Sequence, residues 1–209
     1  STPALGAYPT LHLDGIEAET EQIQLDALVD LAARLKTTTF KIFPGRLASA
    51  KIGGARALTV ERLHRLAGRL AAHGMDLTLE THGNTLCDTL DSTATLLDEL
   101  SACQNVGLCF QPYTDQNTDA ALAAFDRFGD RIGHIHLQNR GTDSSCTLLA
   151  EGDWIDYTRF LGHVRRRGFD GLLCLEFTAG LFPPEGTPFD PQTVIDNAVL
   201  DRGFVFECW

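Results

Sequence analysis

The chain has 209 residues, room for one domain of ordinary size. Its 17 Lys and Arg stand against 28 Asp and Glu, a formal charge of −11, which argues against a surface made to neutralise nucleic-acid phosphates. Apolar residues make up 44 % of the chain, too many for disorder, and no apolar run of about 18 or more residues offers a membrane span.

In chain order, residues 7–13 have room for a strand, with Pro9 suited to its start or to an edge. Residues 20–35 read as a helix, and 39–43 as a strand turned by Pro44 and Gly45. Thr59 can cap a helix whose Val60, Leu63, Leu66, Ala67 and Leu70 form one apolar stripe, ended at Gly74. A strand over 75–80 and a helix near 93–100 follow, and the strand at 106–110 runs into Gln111. Thr118 begins a helix carrying Leu122 and Phe125, and 131–137 is the next strand. Asp156 caps a helix with Phe160, Leu161 and Val164, ended by Gly168. The last strand is 172–177, and Asp190 followed by Pro191 opens the final helix.

About six strands thus alternate with helices. Helical crossovers imply parallel pairing, and strands apolar on both faces fit a covered parallel sheet. No GxGxxG or GxxxxGK[ST] loop marks a doubly wound nucleotide fold. The expectation is an α/β fold, a (β/α) TIM-type barrel over 1–209, incomplete with about six parallel strands. Two open edges then need a cover, from a second copy in a homo-oligomer or from a segment outside this chain. The chain opens on Ser1, as expected of a processed start or of a piece of something longer. Six cysteines without a CxxC pair read as reduced thiols, so a cytoplasmic location is expected.

Glu80, Gln111, His136 and Glu176 each end a separate strand, and in a barrel those ends converge on one face. Two carboxylates, an imidazole and an amide oxygen suit a divalent cation, Mn²⁺ or Mg²⁺. Such an ion can polarise a sugar carbonyl and stabilise an enediolate, with Glu80 and Glu176 as the catalytic pair that removes and returns the proton. Candidate substrate contacts are Lys41 and Arg46 around the first turn, His82 and Asn84 beyond Glu80, Asn139 beyond His136, and Trp154. Against these stand plainer readings. His134 is a structural histidine, Arg165, Arg166 and Arg167 are a solvated helix end, and Trp154 and Tyr157 are packing residues for the last helix.

The phrases Leu77-Thr78-Leu79-Glu80-Thr81-His82-Gly83-Asn84 and Ile132-Gly133-His134-Ile135-His136-Leu137-Gln138-Asn139 resemble the metal-glutamate and metal-histidine strands of the xylose-isomerase-like barrel superfamily. Glu151-Gly152-Asp153-Trp154 resembles its loop into the penultimate helix. Gly168-Phe169-Asp170-Gly171, leading to Glu176, resembles its final strand. The resemblance implies a Glu, Asp, His, Glu metal set, matched by Glu80, His136 and Glu176. Gln111 stands at the aspartate position and Thr114 where many members have histidine. It also implies that the first two strand-helix units of the family barrel are absent here.

The functional expectation is a divalent-metal-dependent isomerase or epimerase acting on a sugar, keto-sugar or sugar acid. One alternative is a lyase resembling inosose dehydratase, which begins with the same proton abstraction. The other is a degenerate, non-catalytic barrel that binds a ligand or a partner. The abasic-site endonucleases of the superfamily are disfavoured by the net charge and by the absence of their larger set of metal ligands. The expected partner is a small carbohydrate, with no nucleic acid and no membrane.

Overall fold

The structure is a computed structural model that describes residues 2–209. These divide into two compact units, one running to Thr114 together with Arg131–Gly133, the other comprising Asp115–Asp130 and His134–Trp209.

The first unit alternates strands and helices: β1 (Ala4–Ala7), α1 (Gly15–Arg34), β2 (Thr39–Ile42), α2 (Arg56–Ala71), β3 (Asp76–Glu80), α3 (Leu90–Glu99) and β4 (Val106–Phe110). The four strands pair in sequence order and all are parallel. Phe40, Ile42, Leu77, Leu79 and Leu108 are wholly buried, as expected for strands covered on both faces. Helix α2 turns Leu63, Leu66, Ala67 and Leu70 inward, the stripe legible in its sequence.

Local chemistry moves several boundaries. The first strand is Ala4–Ala7, not residues 7–13. Pro9 has no N–H to give a ladder, and Leu11 adopts φ +62°. The amides of Thr10 and Leu11 instead donate to the Glu21 carboxylate, at 2.5 and 2.9 Å. Thr59 does not cap α2. It lies inside the helix and its hydroxyl donates back to the Ala55 carbonyl at 3.0 Å. Helix α3 begins earlier than expected because Thr89 accepts from the Ser92 amide at 3.2 Å.

The second unit holds α4 (Thr118–Phe128), capped by Asn117, and most of β5 (Ile132–Leu137). A short antiparallel pair follows, β6 (Asn139–Arg140) with β7 (Cys146–Thr147). Then come α5 (Tyr157–Arg166), β8 (Leu172–Leu175) and α6 (Pro191–Cys208). Asp156 and Asp190 cap α5 and α6 as their positions predict, and Pro191 takes the first helical place. Strands β5 and β8 pair in parallel, with His136 opposite Cys174. Glu176 lies one residue past β8, but its N–H still donates to the Leu137 carbonyl at 2.9 Å, which holds it at the strand end. Six strands thus enter parallel pairs, four in the first unit and two in the second. No helix among the described residues is long and apolar enough to cross a membrane.

Candidate active site

In the first unit the chemistry gathers around Glu80, the last residue of β3 and 1 % exposed. A carboxylate at that depth needs a compensating charge. Lys41 supplies it, its Nζ donating to Glu80 Oε2 at 2.5 Å from a side chain that is also buried. Register makes the pair possible. Lys41 lies opposite Thr78, so Glu80, two residues further along β3, shares its face of the sheet. On the other side Lys41 faces Gly6, where a Cβ would come within 3.2 Å of the lysine Cε. Burial pushes the Lys41 ammonium down. The Glu80 charge and hydrogen bond, joined by Tyr8, outweigh it and lift the pKa above the ordinary 10.5.

Aromatic rings surround this ammonium. It lies 4.1 Å from the ring centre of Tyr8 and 5.3 Å from that of Phe43, and Phe43 stacks on His82 at 4.5 Å. Gln111 completes the group by donating from Nε2 to Glu80 Oε1 at 3.3 Å. Its backbone is fixed by Thr81, whose hydroxyl donates to the Gln111 carbonyl and accepts from its amide, both at 2.8 Å. With its nitrogen toward Glu80, Gln111 orients that carboxylate. To serve as an oxygen ligand its amide would have to turn over. Arg46 and Asn84 are exposed, with the Arg46 Nε donating to the Tyr8 carbonyl at 2.9 Å.

The second unit gathers a separate group. His136 Nδ1 lies 3.4 Å from Glu176 Oε2. The same oxygen accepts from Gln138 Nε2 at 2.8 Å, and Gln138 Oε1 accepts from Arg140 Nη2 at 2.9 Å. Residues 136, 138 and 140 alternate at and past the end of β5, so a two-residue period carries all three to this group. The Tyr157 hydroxyl accepts from the Gln138 amide at 3.3 Å, and burial holds that phenol well above its ordinary range. His134 is buried and meets His136 edge-on at 4.9 Å.

Two residues expected at the substrate have other work. Asn139 is 0 % exposed, and its amide is committed to backbone. Its Nδ2 donates to the carbonyls of Leu149 and Ile155, both at 2.9 Å, and its Oδ1 accepts from the amides of Arg140 and Ile155 at 3.0 and 3.1 Å. It clamps the loop rather than meeting solvent. A Cβ on Gly152 would fall 2.2 Å from Asn139 Cγ, so Gly152→Ala must displace the clamp. The expected loss is about 1–3 kcal/mol, read as a lowered midpoint in thermal or urea unfolding. Trp154 is half-buried and pinned by its own Nε1, which donates to the Gln116 carbonyl at 2.8 Å.

Sequence reasoning passed over Tyr8, Phe43, Gln138 and Arg140. The signals were a lysine inside an apolar strand, which demands a buried partner, and the continued alternation beyond His136.

Residues 2–195 match the xylose isomerase-like TIM barrel family, and the chain belongs to it. Its fold is the α/β TIM type, with six parallel strands. A stretch of 116 residues is 33 % identical to a 3-dehydroshikimate dehydratase of Bacillus anthracis, covering 54 % of this chain and 41 % of that protein. The chain therefore spans less than half the length of the curated relative it matches. Among solved structures it is similar to D-psicose 3-epimerase from Clostridium cellulolyticum H10, with a TM-score of 0.77, 14 % identity and coverage of 99 % and 78 %. It is also similar to a xylose isomerase-like TIM barrel protein from Mycobacterium smegmatis in complex with magnesium, with a TM-score of 0.69, 17 % identity and coverage of 97 % and 72 %.

Proposed function

We propose that Glu80, His136 and Glu176 are the ligands of a divalent metal that serves chemistry beside a carbonyl. The observation that carries this reading is a buried carboxylate closing β3 and a carboxylate–imidazole pair at the ends of β8 and β5. These donors fit a hard divalent ion in kind: Glu80 is so deep that it already recruits a cation, and carboxylate with imidazole suits Mn²⁺ or Mg²⁺. Glu80, His136 and Glu176 would hold the ion. Gln111 adds no charge and, with its nitrogen toward Glu80, steadies that carboxylate. When bound, the ion supplies electrophilic pull on the substrate carbonyl.

The chain's own residues do the rest. Glu176 is oriented by Gln138, which is held in turn by Arg140, and it takes or returns the proton next to the carbonyl. Lys41, paired with Glu80, presents an ammonium to a substrate oxygen. Tyr8, Phe43 and His82 give an apolar wall suited to the C–H face of a sugar or cyclic polyol. The reading is an isomerase or epimerase of a sugar, keto-sugar or sugar acid.

A dehydratase is the second reading, favoured by the 33 % identity to 3-dehydroshikimate dehydratase. It shares the proton abstraction and differs in expelling a hydroxide afterwards. Both are tested by incubating the protein with Mn²⁺ or Mg²⁺ in deuterium oxide against a panel of ketoses and 3-dehydroshikimate. Metal-dependent deuterium uptake at the carbon beside the carbonyl is expected. Recovery of an isomeric sugar identifies the isomerase or epimerase, and loss of water identifies the dehydratase. No bound metal and no exchange on any substrate would leave the barrel as a non-catalytic binding domain.

A further inference from the structure

Away from this site, the first unit carries a thiol paired with an oriented imidazole. Cys103 lies just past the end of α3, half-buried and flanked by exposed Ser101, Ala102 and Gln104. The Nδ1 of His64, on α2, lies 3.2 Å from its Sγ. The other ring nitrogen, Nε2, lies 3.1 Å from the Glu99 carbonyl. A carbonyl can only accept, so Nε2 carries the hydrogen. In the neutral ring Nδ1 is then the acceptor, and the Cys103 S–H donates to it. That carbonyl belongs to Glu99, the last residue of α3. The Glu99 side chain is itself held by Arg56, at 2.8 and 3.0 Å.

This is the arrangement of an activated nucleophile: a thiol, a base in reach, and a third group that fixes the base's tautomer. We propose that Cys103, activated by His64, is a site of covalent modification by low-molecular-weight disulfides. His64 Nδ1 takes the thiol proton, and Cys103 Sγ attacks one sulfur of the disulfide. The old S–S bond breaks as the protein–ligand S–S bond forms. The departing thiolate leaves with the bonding pair and is protonated, from His64 or from water, so no outside oxidant is needed.

The chain contains its own controls. All six cysteines are thiols rather than disulfides. Cys87 and Cys109 are fully buried, and burial pushes the Cys87 thiol up to about 12. Cys146, Cys174 and Cys208 are half-buried, as Cys103 is. Burial raises the thiols of Cys146 and Cys208, and Cys174 donates to the Leu175 carbonyl at 3.7 Å.

The test treats the folded chain with oxidised glutathione, and separately with iodoacetamide, at neutral pH, and follows each cysteine by peptide mass mapping. Cys103 should react about tenfold or more faster than Cys146, Cys174 or Cys208. His64→Gln should bring its rate down to theirs and leave theirs unchanged. If Cys103 reacts no faster than those three in the unaltered chain, the proposal is overturned, whether or not the variant folds. An unchanged Cys103 rate in a folded His64→Gln variant also overturns it.

Discussion

Lys41→Met should cost the chain about 3–5 kcal/mol of folding stability, because it removes the ammonium that sits against the buried Glu80 carboxylate. The ion pair is 2.5 Å long and both side chains are almost hidden, so water cannot take over for the missing ammonium. Gln111 keeps one hydrogen bond to Glu80 but brings no charge. Urea unfolding with and without divalent ion reads two things at once. In the absence of metal the variant should unfold at far lower denaturant than the parent. If Glu80 is a metal ligand, Mn²⁺ or Mg²⁺ should recover much of the loss in the variant and stabilise the parent less, since in the parent the ammonium competes for the same oxygen. A variant that stays unstable at saturating metal would remove Glu80 from the metal set while leaving its pairing with Lys41 intact. The pH dependence has a definite sign. The folded pKa of Lys41 is raised, so its contribution is whole below the unfolded value near 10.5 and is withdrawn as pH climbs through the higher folded value. The gap between parent and variant should therefore hold through neutral pH and narrow in strong alkali.

That pair also marks where sequence reading stopped. The strand ends were legible because the runs before Glu80, Gln111 and His136 are apolar and bounded by cap residues, and a parallel strand buried on both faces leaves just such a run. Lys41 was visible as a cation near a turn, but its partner depends on the register of β2 against β3, which no local pattern carries. The first strand was misplaced for a related reason. Tyr8, Thr10 and Leu13 suit a strand by composition, yet Pro9 and a distant carboxylate, Glu21, decide the backbone there. Strands β6 and β7 are two residues each, too short for any periodicity. They are set by the turn between them, where Ser144 adopts φ +66° and Asp143 accepts from the Ser145 amide and hydroxyl. Asn139 looked like a loop residue free to meet a substrate, and only the folded loop shows all four of its amide bonds already spent.

Glu176→Gln separates a proton-transfer role from a packing role. The substitution is isosteric, so the side chain can still accept from Gln138 Nε2, and little stability should be lost at a partly exposed position. What disappears is the charge and with it the capacity to remove a proton. Solvent-deuterium exchange beside the substrate carbonyl should fall by about 10²–10⁴-fold, the usual worth of a positioned general base. The unfolding midpoint should stay near that of the parent. Gln138→Ala provides the graded comparison. It leaves the carboxylate but removes the donor that aims it, together with the link to Arg140, so exchange should fall by a smaller factor with the base still present. If Glu176→Gln exchanged at the parental rate in a folded protein, Glu176 would be no base. The search would then turn to the other strand-end carboxylate, Glu80, which Lys41 holds by an ion pair.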